Sequence, residues 1–338
     1  MKTNRQVVLA SYVTDAAQPE NFSLSEGPIP EPGEGDFLLR NMYFSMEPAI
    51  RGWVDGKANY FEPIPIGGVI RGPSVGQVIK SRNKDFVEGD FVFALNQWED
   101  YSICRSDAIL LEKLHPEVGI PISYYVGSLG GAGSTAYIGL HEVGQIQAGQ
   151  TVVVSAAAGA TGSMAGQIAK LRGCKVIGIV GSDEKAQLIV DEFGFDAAIN
   201  HKTDDITAAV AALAPEGADI YFDNVGGPVL NAMLPAMKVY GRIVGCGMIS
   251  DYNRTDNPNP ITNLWEIVSR QLSMQGFLLP TYQSKVPAAM VQLEEWIRAG
   301  KITVIENITE GFSNTPKAFC ALMSGKTVGK ALVKIDLV

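Results

Sequence analysis

Apolar positions change texture once along the chain. Across residues 1–122, short apolar runs are separated by Gly- and Pro-rich stretches: VVLASY, FLLRNMYF, GQVIKS, DFVFAL and WEDYSICR. Runs of this length bounded by turn residues read as strands, and EPGEGD and VEGD each deliver the chain into one of them. The pattern predicts a small, mostly antiparallel β domain.

From Ser123 onward, β-branched runs alternate with helix-length segments. TVVVSA, MAGQIAKLR, KVIGIV and EKAQLIVDEFG are followed by AAIN, DDITAAVAALA, DIYFDNV, PVLNAMLPAM and GRIVGCG. Apolar strands each followed by a helix predict βαβ units and a parallel sheet covered on both faces. PAAMVQLEEWIRAGKI reads as a helix leading out of this domain, while ITVIENITE and KALVKIDLV return to β character. The expectation is a discontinuous catalytic domain, residues 1–122 and 301–338, with a nucleotide-binding α/β domain at 123–300 inserted into it.

A length of 338 residues suits two domains, and 46% hydrophobic against 19% charged residues is enough apolar material for two cores. The net charge of −9 repels phosphate backbones, so no nucleic-acid partner is expected and any bound phosphate needs local donors. MKTNRQVVLASYVTDAAQ lacks a signal-peptide apolar run, and no stretch reaches the ~18 apolar residues of a membrane span. Cys104, Cys174, Cys246 and Cys320 never form CxxC and read as reduced thiols. A cytoplasmic protein without a membrane partner is expected.

TVVVSAAAGATGSMAGQIAKLRG gives a strand, a tight turn and a helix in the order a dinucleotide site requires. Ala157-x-Gly159-x-x-Gly162 is the G-x-G-x-x-G spacing with alanine in the first place. Gly159 lets the backbone approach a pyrophosphate, Gly162 lets the helix pack on the strand, and the helix N-terminus receives the negative charge.

The end of the next strand, CKVIGIVGSDEK, selects the cofactor. About 20 residues beyond Gly162, where NAD sites place a carboxylate, lies Asp183. Yet Gly181 and Ser182 occupy the strand tip, Ser182 reads as the next helix's N-cap, and Asp183 and Glu184 fall in that helix's first turn. Lys185 lies within a turn of the open tip and suits a 2′-phosphate, so NADPH is favoured over NADH.

Zinc sites need Cys, His and acid ligands at fixed spacing, or four clustered cysteines. The three histidines, His115, His141 and His201, do not pair with a cysteine at such spacing, and His115 and His141 read as turn and helix-surface residues. No metal is expected. Hydride chemistry on an alcohol would then lack its usual activator. Reduction of a polarised C=C bond needs only hydride delivery and a hydrogen-bond donor for the developing enolate. The expectation shifts to enone reduction.

AAAGATG, GSDEK, FDAAIN, YFDNVGG, GCGMISDYN, LEEWIRAGKI and GKTVGKALVKI occur in the order seen in zinc-independent medium-chain reductases. The chain resembles their leukotriene dehydrogenase/prostaglandin reductase branch, which includes plant 2-alkenal reductases and bacterial curcumin reductases. The resemblance runs from RNMYFSMEPAIRGW to the C-terminus. It implies a Rossmann doubly wound domain beside a GroES-like catalytic domain. It also implies that Gly159, Ala160, Thr161 and Gly162 form the pyrophosphate turn, with Ser182 beside it and Lys185 on the 2′-phosphate. Asn224 would contact the cofactor. Cys246, Gly247, Met248, Ile249 and Ser250 would run past the nicotinamide ribose, with Phe277 and Leu279 over the nicotinamide. Tyr252 matches the tyrosine that polarises the substrate carbonyl or donates a proton, although Asp251-Tyr252-Asn253 is also good turn chemistry.

The chain departs from that family in three places. The family's N-Y-K is Asn200-His201-Lys202, and His201 could still donate to a phosphate, more strongly when protonated, making cofactor preference depend on pH. Thr327 replaces the asparagine of the terminal G-x-N-x-G-K, weakening one expected cofactor contact. D-P-Y-M-R becomes Glu47-Pro48-Ala49-Ile50-Arg51, so an aromatic pocket wall is lost while Glu47 and Arg51 remain candidate pocket residues. Trp53 and Tyr60 read equally as pocket aromatics or as packing.

The expected activity is NADPH-dependent reduction of the C=C bond of α,β-unsaturated aldehydes or ketones, with a small-molecule enone as partner. A quinone reductase and a catalytically silent NADP-binding protein are the competing readings. The resemblance further implies a homodimer joined through strand edges, with LSMQGFLLP as the candidate edge.

Overall fold

The structure, a computed structural model, describes residues 3–116, 119–254 and 256–336. The chain opens with β1 (Thr3–Leu9), β2 (Phe22–Pro28), β3 (Phe37–Ser45), β4 (Arg71–Ser81), β5 (Phe91–Gln97), β6 (Tyr101–Cys104) and β7 (Glu112–Leu114), then α1 (Ile122–Val126) and α2 (Ala132–Ile138). Alternation follows: β8 (Thr151–Ser155), α3 (Ala160–Leu171), β9 (Lys175–Val180), α4 (Asp183–Asp191), β10 (Ala197–Asn200), α5 (Ile206–Leu213), β11 (Ala218–Asp223), α6 (Gly227–Met233) and β12 (Met237–Gly245). Next come α7 (Trp265–Ser269), β13 (Ser273–Gly276) and α8 (Val286–Arg298), then β14 (Glu306–Glu310), α9 (Thr315–Met323) and β15 (Lys330–Lys334). Among the described residues no helix is long and apolar enough to cross a membrane.

Contacts divide the chain into two compact units, one running to Gly131 and resuming at Glu306, the other spanning Ala132–Ile305. Among the described residues of the first unit, a sheet runs β14-β15-β3-β4-β5-β7, with β6 also paired to β3 and β1–β2 forming a separate hairpin. Its pairings are antiparallel except for β14 with β15. Phe22, Phe44, Trp98, Phe312 and Phe319 fill its larger core.

The second unit holds the parallel sheet, ordered β10-β9-β8-β11-β12-β13. Val152–Ser155 of β8 and Val176–Val180 of β9 are buried throughout, as strands covered on both faces require. The chain moves outward from β8 to β10 and then crosses to β11 beside β8. The order therefore reverses between β8 and β11, and an open α/β sheet binds its ligand beyond the strand ends at such a point. β13 lies at the sheet edge and is solvent-exposed along its length.

The glycine- and alanine-rich stretch before β8 carries no clear hydrophobic period, yet α2 forms there and packs on α3 and α8. Just beyond α2, Gly139 has no room for a side chain: a Cβ there would lie 2.7 Å from both the Phe222 and Phe277 rings.

Candidate functional site

At the tip of β8, Ala156 turns the chain with φ of +48°, and the Ala157 N–H donates to Ile179 O (3.1 Å), tying the turn to β9. Gly159 is the N-cap of α3 and offers no side-chain cap, so the first amides of a twelve-residue helix face outward for a ligand. Gly162 is obligatory. A Cβ there would sit 2.3 Å from Ala156 O and 2.9 Å from Ala157 Cα. Gly159 is less constrained, with Ala156 O at 3.2 Å from its hypothetical Cβ. Ala160, Thr161 and Gly162 thus form a backbone cradle suited to a pyrophosphate.

Beyond β9, Ser182 Oγ accepts the Lys185 N–H at 3.4 Å and caps α4. Glu184 in the first turn is held below the usual carboxylate range by the Ser182 hydroxyl. Asp183 Oδ1 accepts from Asn200 Nδ2 at 2.7 Å, so the acid counted from Gly162 is engaged by β10. Lys185, His201 and Lys202 gather at the tip. Burial first, and then the charge of Lys202, lowers the proton affinity of both Lys185 and His201. Two lysines and an imidazole gathered at one strand tip are suited to a 2′-phosphate dianion, which supplies the counter-charge they lack.

Across the switch point, Asn224 donates its side-chain amide to Ser155 O (2.7 Å) and its N–H to Ser155 Oγ (2.9 Å). The buried Asp223 organises this turn. Its Oδ1 accepts from Ser155 Oγ (3.2 Å), Tyr221 OH (2.7 Å), Val225 N–H (2.9 Å) and Gly226 N–H (2.9 Å). Burial pushes its carboxyl above the ordinary range, while those donors oppose the shift. Asp223 O in turn accepts the N–H groups of Cys246 (2.8 Å) and Gly247 (3.0 Å).

The Cys246–Ser250 segment continues alongside. Ile249 N–H reaches Asn224 O (3.3 Å), and Ser250 donates both its N–H (3.1 Å) and its hydroxyl (2.7 Å) to Val225 O. The Tyr252 hydroxyl folds back to accept the Met248 N–H at 3.4 Å, and a Cβ on Gly247 would stand 3.1 Å from it. Asp251 Oδ1 accepts the N–H (2.9 Å) and side-chain amide (2.5 Å) of Asn259, anchoring the loop that carries the tyrosine. Phe277 follows β13, donates its N–H to Gly245 O (3.3 Å) and meets Tyr282 edge-on, with Leu279 starting the next turn. The second unit's site residues therefore share the carboxyl ends of β8, β9, β10, β11, β12 and β13. Sequence reasoning missed Asp223, Ser155 and Lys202; the available signal was a carboxylate ending an apolar strand two residues after Tyr221.

In the first unit, Glu47 Oε1 accepts from Lys330 Nζ (2.8 Å), whose other bond is to Met46 O (3.0 Å), and from the Ser45 hydroxyl. Arg51 is fully buried, donates twice to Asp15 O (3.2 and 3.0 Å) and faces Asp55. Trp53 belongs to the core, meeting Phe61 and Tyr60 edge-on, with the Arg71 guanidinium over its ring. Tyr60 is exposed. Of the two readings for Trp53, packing is the one its burial matches. Among the described residues, no three His, Cys, Asp or Glu side chains are grouped to hold a metal.

Residues 5–111 match the family described as the N-terminal domain of oxidoreductase, and residues 160–295 the family described as zinc-binding dehydrogenase. The chain is 38% identical to the NADPH-dependent curcumin reductase of Escherichia coli, covering 98% of this chain and 97% of that protein. It is 39% identical to the NADP(+)-dependent 2-alkenal reductase of Nicotiana tabacum (99% and 98%) and 41% identical to prostaglandin reductase 1 of Sus scrofa (94% of each). The solved structure of CurA from Vibrio vulnificus in complex with NADPH superposes with a TM-score of 0.91 at 39% identity, covering 99% of this chain and 100% of that one.

Proposed function

The chain belongs to the zinc-independent medium-chain reductases, in the branch of the alkenal and prostaglandin reductases, and with that as premise we propose the role of each site residue. The reaction is NADPH-dependent reduction of the C=C bond of α,β-unsaturated aldehydes and ketones. It is carried by one observation: a backbone pyrophosphate cradle, a cluster of two lysines and a histidine, and a tyrosine-bearing loop all stand at the carboxyl ends of one parallel sheet. NADPH, when bound, supplies the hydride for the β-carbon.

The protein's own groups do the rest. Amides of Ala160, Thr161 and Gly162 hold the pyrophosphate, Lys185 and His201 hold the 2′-phosphate, and Asn224 with Cys246–Ser250 orients the nicotinamide ribose. Phe277 and Leu279 cover the ring. Tyr252 turns its hydroxyl from the Met248 amide to the substrate carbonyl, where a donor stabilises the enolate charge as it develops. Glu47, through Lys330, and Arg51, through Asp15, hold the shape of the β3–β4 connection that bears Tyr60.

The protein acts as a cytoplasmic homodimer. Exposed β13 offers unpaired backbone at the sheet edge, and Met274 on it lies near Leu264, Trp265 and Val268 in sequence, all more than two-fifths exposed. Such an edge flanked by apolar side chains is suited to pairing with a second copy. The activity is tested by following NADPH oxidation with a panel of enals, enones and quinones and identifying products. Saturated carbonyl products support the reading, and hydroquinone without enone turnover overturns it.

A further inference from the structure

We propose that His201 makes NADPH binding proton-coupled: protonated, it joins Lys185 on the 2′-phosphate, so the preference for NADPH over NADH strengthens as pH falls. This rests on the NADPH reading of the same site.

His201 directly follows β10, and its N–H donates to Val180 O at 3.0 Å, which fixes the residue beside the end of β9. Nε2 lies 3.1 Å from where a Cβ on Gly181 would be, and Lys202 Cε lies 3.7 Å from the same point. The ring edge and the Lys202 side chain thus stand over the bare tip of β9, with Lys185 in the first turn of α4. The charged groups of the elements meeting here are accounted for. Asp183 is bonded by Asn200, Glu184 by Ser182, and Asp204 accepts the Asn200 N–H and the Thr203 hydroxyl. The charge His201 senses is that of Lys202.

Partial burial, then Lys202, holds this imidazole below its ordinary value of 6.5, so it is neutral in the free protein at neutral pH. A phosphate dianion set against the ring supplies the missing counter-charge and raises its proton affinity. Because the bound form holds the proton more tightly, the contribution of His201 to affinity is full below its free-protein value and falls as pH rises through the value in the complex. NADH lacks the 2′-phosphate and escapes the effect. The same substitution of ring for phenol makes the site a charge-dependent donor, since a protonated imidazole gives a charge-assisted bond and a phenol does not.

The test is calorimetric titration of the protein with 2′,5′-ADP, NADPH and NADH between pH 5.5 and 8.5, for wild type, His201→Gln and His201→Tyr, in buffers of differing ionisation enthalpy. The 2′-phosphate titrates near pH 6 in every arm, so the variants report its share. The wild type is expected to lose about tenfold more affinity for 2′,5′-ADP and NADPH from pH 6 to 8 than either variant, with proton uptake that the variants lack. NADH affinity should not follow. Superimposable pH profiles and equal proton uptake in wild type and His201→Gln would overturn the inference while leaving NADPH binding intact. Failure of the wild type to bind 2′,5′-ADP at any pH would overturn the cofactor reading and this inference with it.

Discussion

Asn224 and Ser155 are joined twice, side-chain amide to carbonyl at 2.7 Å and backbone N–H to hydroxyl at 2.9 Å, and the pair spans the gap where the sheet reverses its order. The turn after β8 and the loop after β11 are thereby tied together. Asp223 sits beneath that join and bonds to both sides of it.

Removing Asp223 should loosen it. Asp223→Ala leaves four donors without their acceptor, a loss of about 3 kcal/mol or more. For a domain of this size that lowers Tm by about 6–12 °C. Tyr221→Phe, which deletes one donor, should cost about 1 kcal/mol. The folded carboxyl titrates above its unfolded value of 3.8, so its contribution to stability is full below that value and is lost as pH rises through the folded one. Thermal melts at pH 4 and 7 check both the size and the sign, with Asp223→Asn expected to lose the pH-dependent part.

Gly162→Ala and Gly159→Ala should differ sharply. The first places a methyl 2.3 Å from Ala156 O and should destabilise the unit by about 1–3 kcal/mol, raising the NADPH Kd at least about tenfold. The second meets its nearest atom at 3.2 Å and should leave stability within about 1 kcal/mol of wild type. Denaturant unfolding and NADPH fluorescence titration separate the two effects.

Lys185→Ala should weaken NADPH binding by about 10- to 100-fold, the value of a hydrogen bond to a charged group, and leave NADH binding unchanged. Equal losses for both cofactors in a binding titration would place Lys185 away from the 2′-phosphate.

Tyr252→Phe should lower kcat with enones by about 100-fold or more, as loss of a donor to a developing oxyanion does, with the NADPH Kd unchanged. A variant with full kcat and a raised Kd would make the tyrosine a prop for the Gly247–Met248 turn instead.

Light scattering should give a mass twice that of the chain, and Trp265→Glu combined with Met274→Lys should give a single-chain mass without loss of helical signal. A wild-type monomer would remove β13 as an interface.

What the sequence disclosed was local. The β8–turn–α3 unit, the Ser182 cap and the alternation of strands and helices depend on neighbours within a few positions, so hydrophobic period and turn residues report them. Partners from distant strands left no such trace. Asp183 lies where an NAD-binding acid would, and its bond comes from Asn200 at the end of β10, seventeen residues on. Arg51 reads as a pocket cation from its motif, yet the chain around Asp15 encloses it completely. The helix α2, which packs on α3 and α8, hides in a run of glycine and alanine because such small residues carry little hydrophobic pattern. ITVIENITE reads as one strand, but pairing with β15 begins only at Glu306.

The central claim is tested most directly by the fate of a labelled hydride. The protein is incubated without oxygen with nicotinamide-4-deuterated NADPH and a simple enal or enone, and the product is examined by mass spectrometry and NMR. The expected product is the saturated carbonyl compound carrying one deuterium at the carbon β to the carbonyl. An allylic alcohol with deuterium at the carbinol carbon, or recovery of unreacted enone while a quinone is consumed in a parallel incubation, would contradict the account.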